Sequence, residues 1–409
     1  MPNRVVITGQ GCVSTFGVGV APFLEAMITG RSGLAPFSDH DGDISFGPIS
    51  GGPVRDFFPE EWLPKNVKPK HYGLFATFAM VAAQEAVQGA GLQPDDLAAR
   101  RSGILVGTGA SGQETIGIVS RRLYGQKIGR LHPLSIPKIM ANSPASGLAA
   151  LLKISGPVFT INSACASGNH AVGQGYTLIK HGVLDVAVTG GTDANFDFGF
   201  LKAWEGLGVL TPDLCRPFSK GRNGMALSEG AGIFVLENLT SAQKRGAPIL
   251  AEVIGVGYSA SGDDLTKPSL AAVEKAMREA LDNAGLTANQ VDHINAHGTG
   301  TLLNDRIEAE GIQNVFGAHA AKIAISATKA LHGHAIGASS ALELIAVLLA
   351  LRTGTIAPTL NFLAADAGSL LDFTPNKAQH RSVQVALSNA FAFGGLNATL
   401  ALRRYEENS

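Results

Sequence analysis

Cysteine is scarce in this chain. There are three in 409 residues, Cys12, Cys165 and Cys215, and no two are spaced C-x-x-C. An odd, sparse set argues against a disulfide scaffold and fits a reducing compartment, so a cytoplasmic location is expected. An excess of one charge is lacking too: Lys plus Arg number 32 against 33 for Asp plus Glu, a net charge of −1. Global charge therefore gives no reason to expect nucleic acid or an anionic membrane as partner. Long apolar runs are missing. Met1-Pro2-Asn3-Arg4 leads straight into Val5-Val6-Ile7 without a signal core. The most hydrophobic helix candidate, Leu342 to Leu351, contains Glu343 and is too short to span a bilayer, so it reads as core and no membrane insertion is expected. The Walker lysine pattern, a full dinucleotide fingerprint and a convincing zinc-ligand spacing are absent, so no cofactor or metal is expected.

What is present is apolar and glycine-rich. Hydrophobic residues make up 45% and glycines number 50, enough for a large core, tight turns and close backbone contacts. Short matches suggest a duplication. Glu85-Ala86-Val87-Gln88-Gly89-Ala90-Gly91-Leu92 resembles Glu279-Ala280-Leu281-Asp282-Asn283-Ala284-Gly285-Leu286, 194 residues later. Val106-Gly107-Thr108-Gly109 resembles His297-Gly298-Thr299-Gly300 at an offset of 191, and Asp185 to Thr189 resembles Gln384 to Ser388 at 199. Three matches in order argue for two homologous halves, 1–250 and 251–409. Val5–Thr8, Ile104–Val106, Val158–Ile161 and Val186–Thr189 read as buried strands. Tyr72–Gln88 and Gly168–Lys180 read as helices. The pattern is α/β with mostly parallel pairing. Residues 12–70, rich in Gly, Pro and Asp, read as an insertion forming surface loops or subunit contacts.

Cys165, in Asn162-Ser163-Ala164-Cys165-Ala166-Ser167-Gly168, falls between a strand and a helix. Small neighbours permit a sharp turn that exposes a nucleophile. The helix N-terminus is expected to lower the thiol's pKa, and its free N–H groups could hold an oxyanion. An isolated cysteine is more often a small core residue, and Cys12 and Cys215 keep that reading. His297 ends a strand-like run at the Gly298-Thr299-Gly300-Thr301 turn. His334 follows Gly333 and precedes a helical pattern from Ala335 to Leu349. His332 lacks flanking glycines and reads as a bystander. Lys329 is expected to be buried against Glu308. One thiol with two neutral imidazoles suits acyl transfer through a thioester, with two N–H donors for an enolate or oxyanion. A hydrolase more often orients one His with a carboxylate or amide.

These motifs carry a resemblance. The chain resembles the β-ketoacyl-acyl-carrier-protein synthases, condensing enzymes of the thiolase superfamily, nearly end to end. The match includes Val5-Val6-Ile7-Thr8-Gly9, the Cys165 turn, Arg216-Pro217-Phe218-Ser219, Glu229-Gly230-Ala231-Gly232, both histidine motifs and Asn389-Ala390-Phe391-Ala392-Phe393-Gly394-Gly395. The resemblance implies a five-layer αβαβα fold and a Cys165, His297, His334 triad. It implies that Cys165 takes an acyl chain from an acyl carrier protein and that both histidines support malonyl decarboxylation. N–H groups of Cys165 and Phe393 would form the oxyanion hole, and Phe393 would also gate the pocket. Lys329 and Glu308 match the family's supporting ion pair. Thr299 and Thr301 match positions that bind the carrier's pantetheine arm, the only prosthetic group implied. Phe391, Gly394, Gly395 and Ala110 fall to the substrate pocket, and Lys65, Lys68, Lys70 and Arg130 to carrier docking. A homodimer is implied by default, with a heterodimer beside a chain-length-factor-like subunit as the alternative.

Some positions depart from the housekeeping pattern. Ala392 replaces a gating-loop Gly and is expected to restrict the backbone there. Leu396 stands where Thr is usual, and Asn223, Met225 and Ser228 differ after Arg216-Pro217-Phe218. Leu201–Glu205, Asn304–Arg306 and His332–His334 look more like condensing enzymes of nodulation-factor acyl chains or ketosynthase subunits of type II polyketide systems. A thiolase would need a second cysteine in Asn389–Gly395, which has none. A non-catalytic partner subunit typically loses the nucleophile, which is present here.

Overall fold

The computed structural model describes residues 2–407. Its main sheet has eleven strands. The short strand Gly17–Val18 pairs off the path, and the rest we number β1 (Val5–Ser14), β2 (Ser102–Gly107), β3 (Val158–Ile161), β4 (Val186–Asp193), β5 (Gly230–Asn238), β6 (Ala251–Ala260), β7 (His293–Asn295), β8 (Ala324–Ser326), β9 (Val385–Phe391) and β10 (Leu396–Arg403). The N-terminal half runs in the order β3-β2-β4-β5-β1 and the C-terminal half β8-β7-β9-β10-β6. These orders are the same topology, and the pairings agree in direction. In each half the first two pairings are parallel and the last two antiparallel. An antiparallel β1–β6 pairing joins the halves. The sheet is thus mixed rather than mostly parallel, because the last two strands of each half turn back beside each other.

Helices form the other layers: α1 (Leu74–Gly89), α2 (Ser167–Lys180), α3 (Leu270–Ala284), α4 (Leu302–Phe316) and α5 (Ser339–Thr353). α1 packs outside β1 and α3 outside β6 and β10, while α2 and α5 lie in the middle against strands of both halves. The duplication is visible in side chains. Glu85 on α1 accepts the N–H of Cys12 on β1, and Glu279 on α3 accepts that of Tyr258 on β6. Gly9 and Gly11 sit so close to α1 that a Cβ would reach the carbonyl oxygens of Ala86 and Ala82. Gly255 and Gly257 stand in the same relation to Ala280 and Ala276 on α3. Only glycine lets a helix backbone approach a strand so closely.

The apolar stretch in α5 is core. Contrary to the expectation that it is too short, the segment Ile336–Thr353 is long and apolar enough to cross a membrane, but 89% of it is buried inside the protein. A helix apolar on every side needs such surroundings. Two expectations are corrected by the fold. Residues 12–70 are not mainly loops: they hold the end of β1, a helix at Val20–Thr29 and a hairpin of Ala35–Asp41 with Ile44–Gly52, whose second strand pairs with Leu227–Ser228. Phe46 and Ile49 of that hairpin share a buried cluster with Trp204, Met225 and Ile336, so the insertion backs the site. β3 is a half-exposed edge strand rather than a buried one. Helix α1 starts at Leu74 rather than Tyr72, and α5 at Ser339 after a short 3₁₀ turn.

Candidate active site

β3 ends just before a tight turn, Ala164–Ala166, that opens into α2. Ala164 has a φ of 49°, the left-handed value a sharp elbow demands. Cys165 is buried at the elbow. Burial pushes its thiol up to about 11, Lys329 opposes the rise, and Asp193 reinforces it. The N–H groups of Phe393 and Cys165 face the sulfur and favour the thiolate. The expectation that the helix end would lower the thiol's pKa is not met, because desolvation outweighs every favourable partner.

His297 leaves the end of β7 on a turn held from α4. Glu308 accepts the N–H groups of His297 and Gly298, both at 2.8 Å. Asp305, one turn earlier on α4, accepts those of Thr299 and Gly300 at 3.1 Å. Residues three apart on a helix share a face, so one face steadies the whole loop. Lys329 donates to the His297 carbonyl at 2.6 Å and faces its Nδ1 at 3.3 Å. An ammonium can only donate, so Nδ1 accepts and the ring proton sits on Nε2. His334 reaches the same state another way: its Nδ1 accepts from the Ile336 N–H at 3.0 Å, with Ser339 Oγ at 2.8 Å. Burial and Lys329 hold both imidazoles well below the usual range, so both are neutral.

The two rings stand nearly perpendicular, centroids 5.5 Å apart. Cys165 Sγ and one nitrogen of each ring all lie within 4.8 Å of one another. That spacing would also suit a metal ion, but the donor set does not. Ring nitrogens facing a metal need Nδ1–H partners behind them, whereas here Nδ1 accepts and a buried ammonium lies beside it. The three residues open onto a cavity of about 270 Å³. Phe391, Phe393, Trp204, Val209 and Met225 give it apolar walls, with Thr299 and Thr301 on another side.

Two family descriptions match the chain: the β-ketoacyl synthase N-terminal domain over residues 2–242 and the C-terminal domain over 250–363. The chain belongs to the β-ketoacyl synthase family. It is a condensing enzyme, an acyltransferase of the 3-oxoacyl-ACP synthase family with the thiolase-like fold. The synthase is 43% identical over 404 residues to Nodulation protein E of Rhizobium sp. (strain N33), covering 99% of this chain and 100% of the relative. It is 36% identical over 411 residues to 3-oxoacyl-[acyl-carrier-protein] synthase 2 of Coxiella burnetii (strain RSA 493 / Nine Mile phase I), covering 98% and 99%. Among solved structures it is similar to the ishigamide ketosynthase/chain length factor, with a TM-score of 0.94 and 38% identity over 99% of this chain and 100% of that one.

Several expected site residues of the synthase stand elsewhere than anticipated. Lys329 does not pair with Glu308; its partner is Glu343 on α5, at 2.6 Å. Glu308 is occupied by backbone N–H groups and so supports His297 without a cation. Ala110 is buried but does not line the cavity; its N–H donates to Asp193. Gly394 and Gly395 form the turn behind Phe393, with Gly394 N–H donating to Leu265. Ala392 has a φ of −115°, extended backbone that any residue adopts, so it strains nothing in this state. Lys65, Lys68, Lys70 and Arg130 are exposed, where a docking role would need them. His332 is buried against Phe23 and bonded to Thr328, away from the cavity.

Sequence reasoning missed Glu343, Asp193, Asp305 and Trp204. Glu343 had a legible signal, a lone acid in an otherwise apolar helix. Asp193 gave none, since its donors lie far away in the chain, and Trp204 none, since its role is a ring contact with Phe393.

Proposed function

We propose that this synthase lengthens an acyl chain by decarboxylative condensation with a malonyl group on an acyl carrier protein. The observation that carries the reading is a thiol and one nitrogen from each of two neutral imidazoles meeting within 4.8 Å at a partly apolar cavity. In the first step Cys165 Sγ attacks the carrier thioester. The S–C bond to the carrier breaks, and the thiol proton leaves with the carrier's sulfur. Because the resting thiol is neutral, loading needs the carbonyl polarised by the N–H groups of Cys165 and Phe393. In the second step malonyl loses carbon dioxide. The enolate oxygen is held by the Nε2–H groups of His297 and His334, which their neutral state makes donors. The carbanion then attacks the acyl carbonyl, and Cys165 sulfur leaves and takes up a proton.

Thr299 and Thr301 line the side of the cavity suited to a pantetheine arm, and Phe393 stacks on Trp204, centroids 5.9 Å apart, as a gate would. The partners we propose are an acyl carrier protein, docking on the exposed Lys65, Lys68, Lys70 and Arg130, and a second condensing-enzyme chain. That second chain is either another copy or a chain-length-factor-like subunit, in a cytoplasmic fatty-acid or type II polyketide pathway.

Intact-protein mass spectrometry with a panel of acyl-carrier thioesters tests the reading. A mass gain on wild type, and none on Cys165→Ala, is expected. Cys165→Ala should still release carbon dioxide from a malonyl carrier. Acyl transfer that persists in Cys165→Ala would refute the nucleophile.

A further inference from the structure

β4 ends on Asp193, a carboxylate without solvent exposure. Four donors surround it. Oδ1 accepts from the Thr108 hydroxyl at 2.5 Å and the Ala110 N–H at 3.0 Å. Oδ2 accepts from the N–H groups of Gly109 at 2.8 Å and Gly337 at 2.6 Å. Among the described residues no ion pair holds it, and its largest titration shifts come from burial and these four donors. Proteins seldom bury a carboxylate without a counter-charge, and those that do surround it with fixed donors.

The donors come from both halves. Thr108–Ala110 follows β2 and packs on the nucleophile elbow: a Cβ on Gly109 would stand 3.1 Å from the Ala164 oxygen and 2.6 Å from Ile336 Cγ2. Gly337 lies three residues past His334. Between them Ile336 has a φ of 51°, a strained value for a β-branched residue that persists only where surroundings over-determine it. That conformation aims two successive N–H groups apart, Ile336's at His334 Nδ1 and Gly337's at Asp193.

We propose that Asp193 is a positioning residue. It clamps the strained Ile336–Gly337 turn to the nucleophile half and thereby keeps the His334 imidazole in its Nε2–H state, facing Cys165. Asp193 touches no reacting atom. The inference rests on the reading of His334 as the donor for malonyl decarboxylation.

Protonation of Asp193 would take a lone pair from the clamp. Burial lifts its carboxyl to about 6 against the pull of its four donors. Glu308 and Glu343 behind the site are lifted to about 7, and Cys165 to about 11. His297 and His334 stay neutral well below that range. A variant that alters a donor to Asp193 alone therefore separates it from the others, and Thr108→Val removes one.

The test measures two half-reactions separately on the purified full chain: release of carbon dioxide from malonyl carrier and acyl loading of Cys165. Asp193→Asn places an amide N–H₂ among N–H donors. It is expected to cut decarboxylation roughly a hundredfold, the order of misplacing a catalytic group from outside the chemistry, with loading within about threefold. Thr108→Val is expected to move the acid limb of decarboxylation up by about one pH unit, since a lost donor disfavours the carboxylate. Equal loss of both half-reactions in a folded Asp193→Asn, or loss of neither, overturns the proposal. So does an unmoved acid limb in Thr108→Val, which decides the matter if Asp193→Asn fails to fold. A wild type that releases no carbon dioxide from any malonyl carrier would instead sink the proposed function, and this inference with it.

Discussion

Lys329 and Glu343 show how the site's charges are managed residue by residue. Both are fully buried, 2.6 Å apart, with the ammonium also on the His297 carbonyl. Removing one partner strands a buried charge, at a cost of about 3–5 kcal/mol. Glu343→Gln and Lys329→Met are each expected to destabilise by that order in denaturant unfolding. Lys329→Met with Glu343→Gln should cost less than the sum of the two single changes, because no charge is then stranded. Strict additivity would show that the pair is not coupled. At this scale the three side chains that meet at the cavity were legible, since Cys165, His297 and His334 each sit on a small-residue turn. The pairing of Lys329 was not: Glu343 stood out as a lone acid in an apolar helix, but which helix reaches the ammonium is set by packing.

Elements explain why the two central helices carry so many small residues. β5 presses on the backbone of α5: a Cβ on Gly232 would lie 2.7 Å from the Ala341 carbonyl carbon and 2.8 Å from its oxygen. Backbone cannot yield as a flexible side chain does, so Gly232→Ala forces the two apart. A loss of about 1–3 kcal/mol is expected, read as a lower thermal midpoint. An unchanged midpoint would mean that this contact is looser than its geometry. Periodicity located α1, α2, β2 and β4 to within a few residues, because each has its own repeat of apolar positions. It did not give strand direction, because a strand buried on both faces reads the same whichever way its neighbour runs. It also made β3 look buried, although Phe159 is 44% exposed on the edge.

The whole molecule buries two opposing sets of titratable groups. Glu229, Glu308 and Glu343 are lifted to about 7 and Asp193 to about 6, chiefly by burial. The fold favours their neutral forms, so their contribution is full below the ordinary carboxylate range and is lost as pH rises to 6 and 7. His293 and His332 are lowered to about 4 and about 3, and His297 and His334 well below 6.5, again by burial first. Their contribution is full above 6.5 and is lost as pH falls. Each group is worth about 1.4 kcal/mol per pH unit within its window. Above pH 7 neither set titrates, and between about 6.5 and 4.5 the carboxylate gain offsets the histidine loss, so the unfolding midpoint is expected to stay nearly level down to about pH 4.5 and to drop below it, where only the histidines still titrate. A steady fall from pH 8 to 6, or a level midpoint down to pH 4, would contradict this balance in a thermal scan. The sequence by itself determined the duplicated α/β plan and the turns that carry Cys165, His297 and His334, because turn chemistry and apolar periodicity act over a few neighbouring residues. Tertiary structure alone decided that burial would hold the thiol neutral, that Glu343 would neutralise Lys329, and that Asp193 would join the halves behind His334. Those outcomes depend on desolvation and on donors far apart in the chain, and neither exists until the layers close.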